Sequence, residues 1–98
     1  MRKFASILMG SSYIPEEHTA KFDARSEVYI YTVRNKQEAH EKVLELKHNG
    51  FGAIELCGAF GRDFALELIE LTGGEIAIGY VVYEPKQDDL VNKFFGGK

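Results

Sequence analysis

AIELCGAFGRDFALELIELTGG, residues 53–74, contains the change of period that decides the fold class. Ala53 to Cys57 is short and apolar, as in a strand, whereas Phe64, Ala65, Leu68, Ile69 and Leu71 recur at helical spacing. Between them Gly58-Ala59-Phe60-Gly61 forms a turn, and Gly73-Gly74 stops the helix. A strand, a tight turn and a helix in succession make the first part of a βαβ unit.

The alternation continues on both sides. Upstream, Asn35 is a good N-cap with Glu38 three residues on, and Ala39, Val43, Leu44 and Leu46 supply an apolar stripe that Asn49-Gly50 ends. EVYIYTVR (27–34) is β-branched and aromatic and reads as a strand, as does Phe4–Met9, which runs into Gly10-Ser11-Ser12. Between these two, IPEEHTAKFD has Pro15 at a helix start with Glu16 and Glu17 in the first turn, which predicts one or two helical turns. Downstream, EIAIGYVVY (75–83) reads as a fourth strand. Pro85 opens a last helix with Leu90, Val91, Phe94 and Phe95 as its apolar side.

This order predicts an α/β fold: a small parallel four-stranded sheet in the flavodoxin-like order 2-1-3-4, with helices on both faces. The nearly continuous apolar third and fourth strands fit a sheet covered on both sides. The alternative is a ferredoxin-like α+β sandwich, which needs antiparallel pairing and one exposed sheet face. The 98 residues are expected to form one domain. Four strands leave two edges, so a homodimer is expected, covering either the aromatic second strand or the Phe94-Phe95 side of the last helix.

Composition removes several function classes. A net charge of −3 offers no concentration of Lys and Arg for nucleic acid or anionic lipid. A single cysteine allows neither an intramolecular disulfide nor a cysteine-based zinc site. No apolar run approaches the roughly 18 residues of a membrane span. MRKFASILMG is followed by early acidic residues rather than a small-residue cleavage site, so it reads as the first strand of a cytoplasmic protein. The three histidines are not clustered, and no metal or cofactor is expected.

Ligands of open parallel sheets collect beyond the C-terminal strand ends, at the switch point. Two glycine loops are expected to meet there: Gly10-Ser11-Ser12 and Gly58-Ala59-Phe60-Gly61. The N–H groups opening the second helix, with Arg62, would suit a small anionic or phosphorylated ligand. No GxGxxG or GxxxxGK[ST] pattern accompanies them, and the glycines would serve equally well as a sharp corner. Glu55 is the discordant residue, because a carboxylate on a central strand must be paired, protonated or turned into a wet cleft. By strand alternation Cys57 would share its side, so the two are the candidates for a base and a nucleophile, although an unassisted thiol is more often a small core residue.

The segment GFGAIELCGAFG, the preceding KQEAHEKVLELKHN and the following ALELIELTGGEIAIGYVVYE together resemble the prokaryotic family catalogued as domain of unknown function 6506. Its P-E-x-H segment corresponds to Pro15-Glu16-Glu17-His18, and its A-I-E-L-C-G-x-F-G turn to Ala53–Gly61. The likeness spans nearly the whole chain and is weakest over EPKQDDLVNKFFGGK. It implies no established activity, substrate or cofactor. Three readings follow: a binding module for an anionic metabolite, a homo-oligomeric interaction module, and an enzyme using Glu55 as general base.

Overall fold

The structure is a computed structural model and describes residues 2–96. Lys3–Met9 (β1) is the central strand of five. Glu27–Val33 (β3) pairs parallel to it over seven residues, from Lys3 opposite Glu27 to Met9 opposite Val33. On its other side Ala53–Leu56 (β4) pairs parallel with β1, and Ala77–Tyr80 (β5) pairs parallel with β4. Ala20–Asp23 (β2) adds an antiparallel strand outside β3, completing the order β2-β3-β1-β4-β5.

The fold is therefore mixed α/β with a mostly parallel sheet, but the sheet has five strands rather than the four expected. The extra strand lies in the segment where the sequence predicts a short helix. Only a turn forms there, with His18 N–H donating to the Ile14 carbonyl, and the Ile14 N–H is taken by His18 Nδ1 at 2.8 Å. The chain then pairs back on β3 through the Ala24–Ser26 corner, where Ala24 N–H meets the Ser26 carbonyl. β3 is consequently not an edge, contrary to expectation.

Helices on both faces are not found. Only two connections carry long helices: Lys36–His48 (α1) links β3 to β4, and Gly61–Leu71 (α2) links β4 to β5. Both step the same way along the sheet, and right-handed crossovers in one direction put their helices on one side. α1 and α2 accordingly touch, with His40 Nε2 3.3 Å from Glu67 Oε2 and the Lys36 ammonium over the Phe64 ring at 5.3 Å. The ferredoxin-like alternative expected one bare sheet face, and that feature occurs here in a parallel sheet.

The core lies between those helices and one side of the sheet. Ala5, Ile7, Ile54 and Leu56 are fully buried from the strands, against Ala39, Val43 and Leu46 of α1 and Phe64, Ala65 and Leu68 of α2. At its rim Tyr29 stacks on Tyr31 at 5.6 Å, and ammonium groups lie over the aromatic rings: Lys3 over Phe51, Lys21 over Tyr29 and Lys42 over Tyr31. Such contacts cover ring faces with charge that stays in water. Leu44 faces away from this core and is exposed, unlike its sequence-assigned partners in the stripe.

Residues 81–96 do not form a packed layer. A tight i→i+3 turn at Pro85–Gln87, a short α-helix at Asp88–Val91 (α3) and a wider i→i+5 turn at Asn92–Gly96 follow one another, and none of their residues is buried. Leu90, Phe94 and Phe95 are 60%, 80% and 63% exposed. The expected last helix is present only in this broken form, and its apolar side touches no sheet residue closely enough to be buried.

α1 begins as its sequence predicts: Asn35 Oδ1 accepts the Glu38 N–H at 2.9 Å. The reciprocal contact is displaced by one residue, since Glu38 accepts from the Arg34 N–H at 2.8 Å and from its guanidinium. These bonds from the Arg34 side chain and backbone hold the Glu38 carboxyl below the usual carboxylate range. Asn35→Ala is expected to lower the urea midpoint by an amount equivalent to about 1 kcal/mol with unchanged slope. The Glu38 contribution is present above the unfolded carboxylate pKa and is lost as pH falls through the lower folded value. Glu38→Gln should therefore flatten the acid limb of the stability–pH profile in urea melts taken below that range.

Candidate functional site

The two glycine loops follow β1 and β4, which are neighbours, so the fold brings them to the same end of the sheet. Gly10 N–H donates to the Val33 carbonyl at 3.0 Å, and its carbonyl accepts from Tyr13 N–H at 3.2 Å. A Cβ on Gly10 would lie 3.1 Å from the Tyr13 ring, so this glycine permits a close approach of side chain to backbone. Ser11 and Ser12 are exposed in the turn. Gly58 and Ala59 are also exposed, and the Phe60 N–H closes on the Cys57 carbonyl at 3.2 Å.

Phe60 itself is a core residue, stacked on Phe64 with centroids 5.5 Å apart. It anchors the loop from beneath instead of lining a crevice. Gly61 has φ +79° at the start of α2, a left-handed conformation that disfavours any Cβ. Gly58 has no such φ, and a Cβ there would meet only the Val81 carbonyl at an ordinary 3.6 Å. No side chain caps the start of α2, and Arg62 is exposed without an ion pair among the described residues.

Glu55 and Cys57 are not brought together. β4 ends at Leu56, so the alternation that would align them is already broken at Cys57. Cys57 packs against the helix-side core, and its Sγ accepts the Met9 N–H at 3.3 Å, tying the ends of β4 and β1. Glu55 is exposed on the opposite side of the sheet. Its side chain makes no hydrogen bond or ion pair among the described residues. The sequence requirement that it be paired, protonated or wet is met by solvent.

That opposite side is the most unusual surface of the molecule. Register and alternation place Phe4, Ser6 and Leu8 of β1 on it, with Val28, Ile30 and Thr32 of β3 on one flank and Ala53 and Glu55 of β4 on the other. Ser6 stands opposite both Ile30 and Glu55. On the same strands the helix-side residues Ala5, Ile7, Ile54 and Leu56 have no exposed surface, whereas Phe4, Leu8, Val28 and Ile30 are only half-buried. Thr32 is the buried exception, its hydroxyl donating to the His18 carbonyl at 2.7 Å. Phe22 of the outer strand continues the apolar row and is 54% exposed.

Sequence reading missed this face because apolar residues on both sides of a strand are the usual mark of two covering layers. The signal was nevertheless present. Residues 10–26 are few, polar and interrupted by Pro15, too little for a covering helix between β1 and β3.

Two surface grooves lie elsewhere. One, about 310 Å³, runs between α1 and α2 and holds the His40–Glu67 pair beside Asp63 and Lys36. The other, about 220 Å³, holds the Arg34–Glu38 pair at the end of β3 beside Pro15 and Glu16. In both, much of the charge is neutralised within the groove. His40 is half-buried here and tilted against Phe64. Among the described residues no group of three or more His, Cys, Asp or Glu side chains is placed to hold a metal ion, and no helix is long and apolar enough to cross a membrane.

A model described as "Family of unknown function (DUF6506)" matches residues 2–96 of the chain. No curated protein and no solved structure matches.

The two loop glycines are separable by experiment. Gly61→Ala should lower stability by roughly 1 kcal/mol or more because of its left-handed φ. Gly58→Ala should change it little, both read from chemical denaturation midpoints.

Proposed function

The chain belongs to the family of unknown function DUF6506, and for this member we propose a self-associating α/β module whose open sheet face is its working surface. The observation that carries this reading is the apolar character of that face: Phe4, Leu8, Val28 and Ile30 stand on it with no helix above them. Contiguous apolar surface on a folded chain marks an interaction site, because each Å² left in water costs about 25 cal/mol. On the helix-bearing side the large apolar side chains left exposed on α1 and α2 are Leu44 and Leu66, one on each helix.

A second reading keeps the small anionic ligand at Gly10, Ser11, Ser12 and Gly58–Arg62. Its support is the uncapped start of α2 with the exposed Arg62 beside it. It ranks second because among the described residues the buried polar side chains are Thr32 and Thr72, and neither belongs to these loops. Titration with inorganic phosphate, followed by amide chemical shifts, tests it: shifts confined to these two loops favour it, and none removes it.

For the leading reading, sedimentation equilibrium at micromolar concentration should give twice the 11.0 kDa chain mass. Val28→Lys, on the open face, should return the monomer with an unchanged far-UV spectrum. Leu44→Lys, on the exposed side of α1, should leave the mass doubled. A wild-type chain that sediments as a monomer overturns the reading.

A further inference from the structure

The chain carries two apolar surfaces that lack a covering layer, and they are complementary in kind. One is the open sheet face. The other is the C-terminal arm, residues 81–96, whose Leu90, Phe94 and Phe95 are mostly exposed. A sheet face and an amphipathic helical segment are the two components of a packed layer, and each is stable only against such a partner.

We propose that the open face is occupied by the C-terminal arm of a second copy, the two copies exchanging arms reciprocally about a two-fold axis. This rests on the self-association reading and names what covers the face. Charge agrees with it. Among the described residues Glu55 is the only charged side chain in the interior of the face, opposite Ser6 and Gly79. The arm places Lys93 directly before Phe94-Phe95, and Lys86 stands one turn before Leu90. Lys93 of one copy is thereby assigned to Glu55 of the other, which supplies the partner that a carboxylate needs once the face is closed.

The arm is also built to reach outward. Glu84 is extended (φ −61°, ψ 137°) and is followed by Pro85, which disfavours a helical return at that point. Beyond it the segment is already organised, with the Phe95 ring edge-on to Phe94 at 4.8 Å and to Tyr83 at 6.3 Å. A reciprocal exchange uses both surfaces of both copies at once, which closes the assembly at two chains.

The test is sedimentation of the full chain, of a chain ending at Glu84, and of a charge-exchange series. The full chain should be dimeric and the shortened chain monomeric. Glu55→Lys and Lys93→Glu should each weaken the dimer roughly tenfold or more, and the double variant should recover most of the loss. Because both side chains are exposed in the single chain, these substitutions remain informative even if the shortened chain fails to fold. A shortened chain that is still dimeric, or single variants without effect, overturns the exchanged arm while leaving self-association standing. A monomeric full chain overturns both.

Discussion

The connection between β1 and β3 is the constraint on which the rest of the structure depends. In an open parallel sheet each crossover supplies covering material to one face, and the direction of the step chooses the face. Here the leftward step contains no helix, only a turn and the antiparallel β2. The two rightward steps carry α1 and α2, so all the helical cover falls on one side. From that imbalance come the core on one side, the exposed Glu55 and the sheet face without a covering layer on the other.

Much of this was legible in the sequence, for local reasons. α1 has a side-chain cap, a spaced apolar stripe and a glycine stop, and it forms within a residue of where those signals place it. The four apolar strands occur, and among themselves lie as β3-β1-β4-β5. The fifth was hidden because Pro15-Glu16-Glu17 imitates a helix start, whereas Thr19, which donates to the Ile30 carbonyl at 2.9 Å, and the strand after it owe their conformation to β3. Such long-range pairing leaves almost no local trace.

The site was legible only in part. The turn 58–61 is where the sequence puts it, and Gly61 needs its glycine for a backbone reason visible in φ. From its neighbours Phe60 reads as a loop contact, yet its ring is in the core. Cys57 and Glu55 were aligned by a strand period that stops one residue too early. The broken last helix was beyond reach, since its apolar pattern is the same whether it packs on its own sheet or on nothing in the chain.

The lysines over aromatic rings have a wider meaning than the rim they decorate. Lys3, Lys21, Lys36 and Lys42 all stand on the helix-bearing side, each over a ring that would otherwise offer its face to a neighbour. That half of the molecule is finished with a hydrated skin of mixed charge, Lys36, Lys42, Lys47 and Arg62 interspersed with Glu38, Glu41, Glu45, Asp63, Glu67 and Glu70, while the sheet residues of the reverse half are mostly apolar. The domain as a whole is thus an amphiphile, polar on one side and greasy on the other.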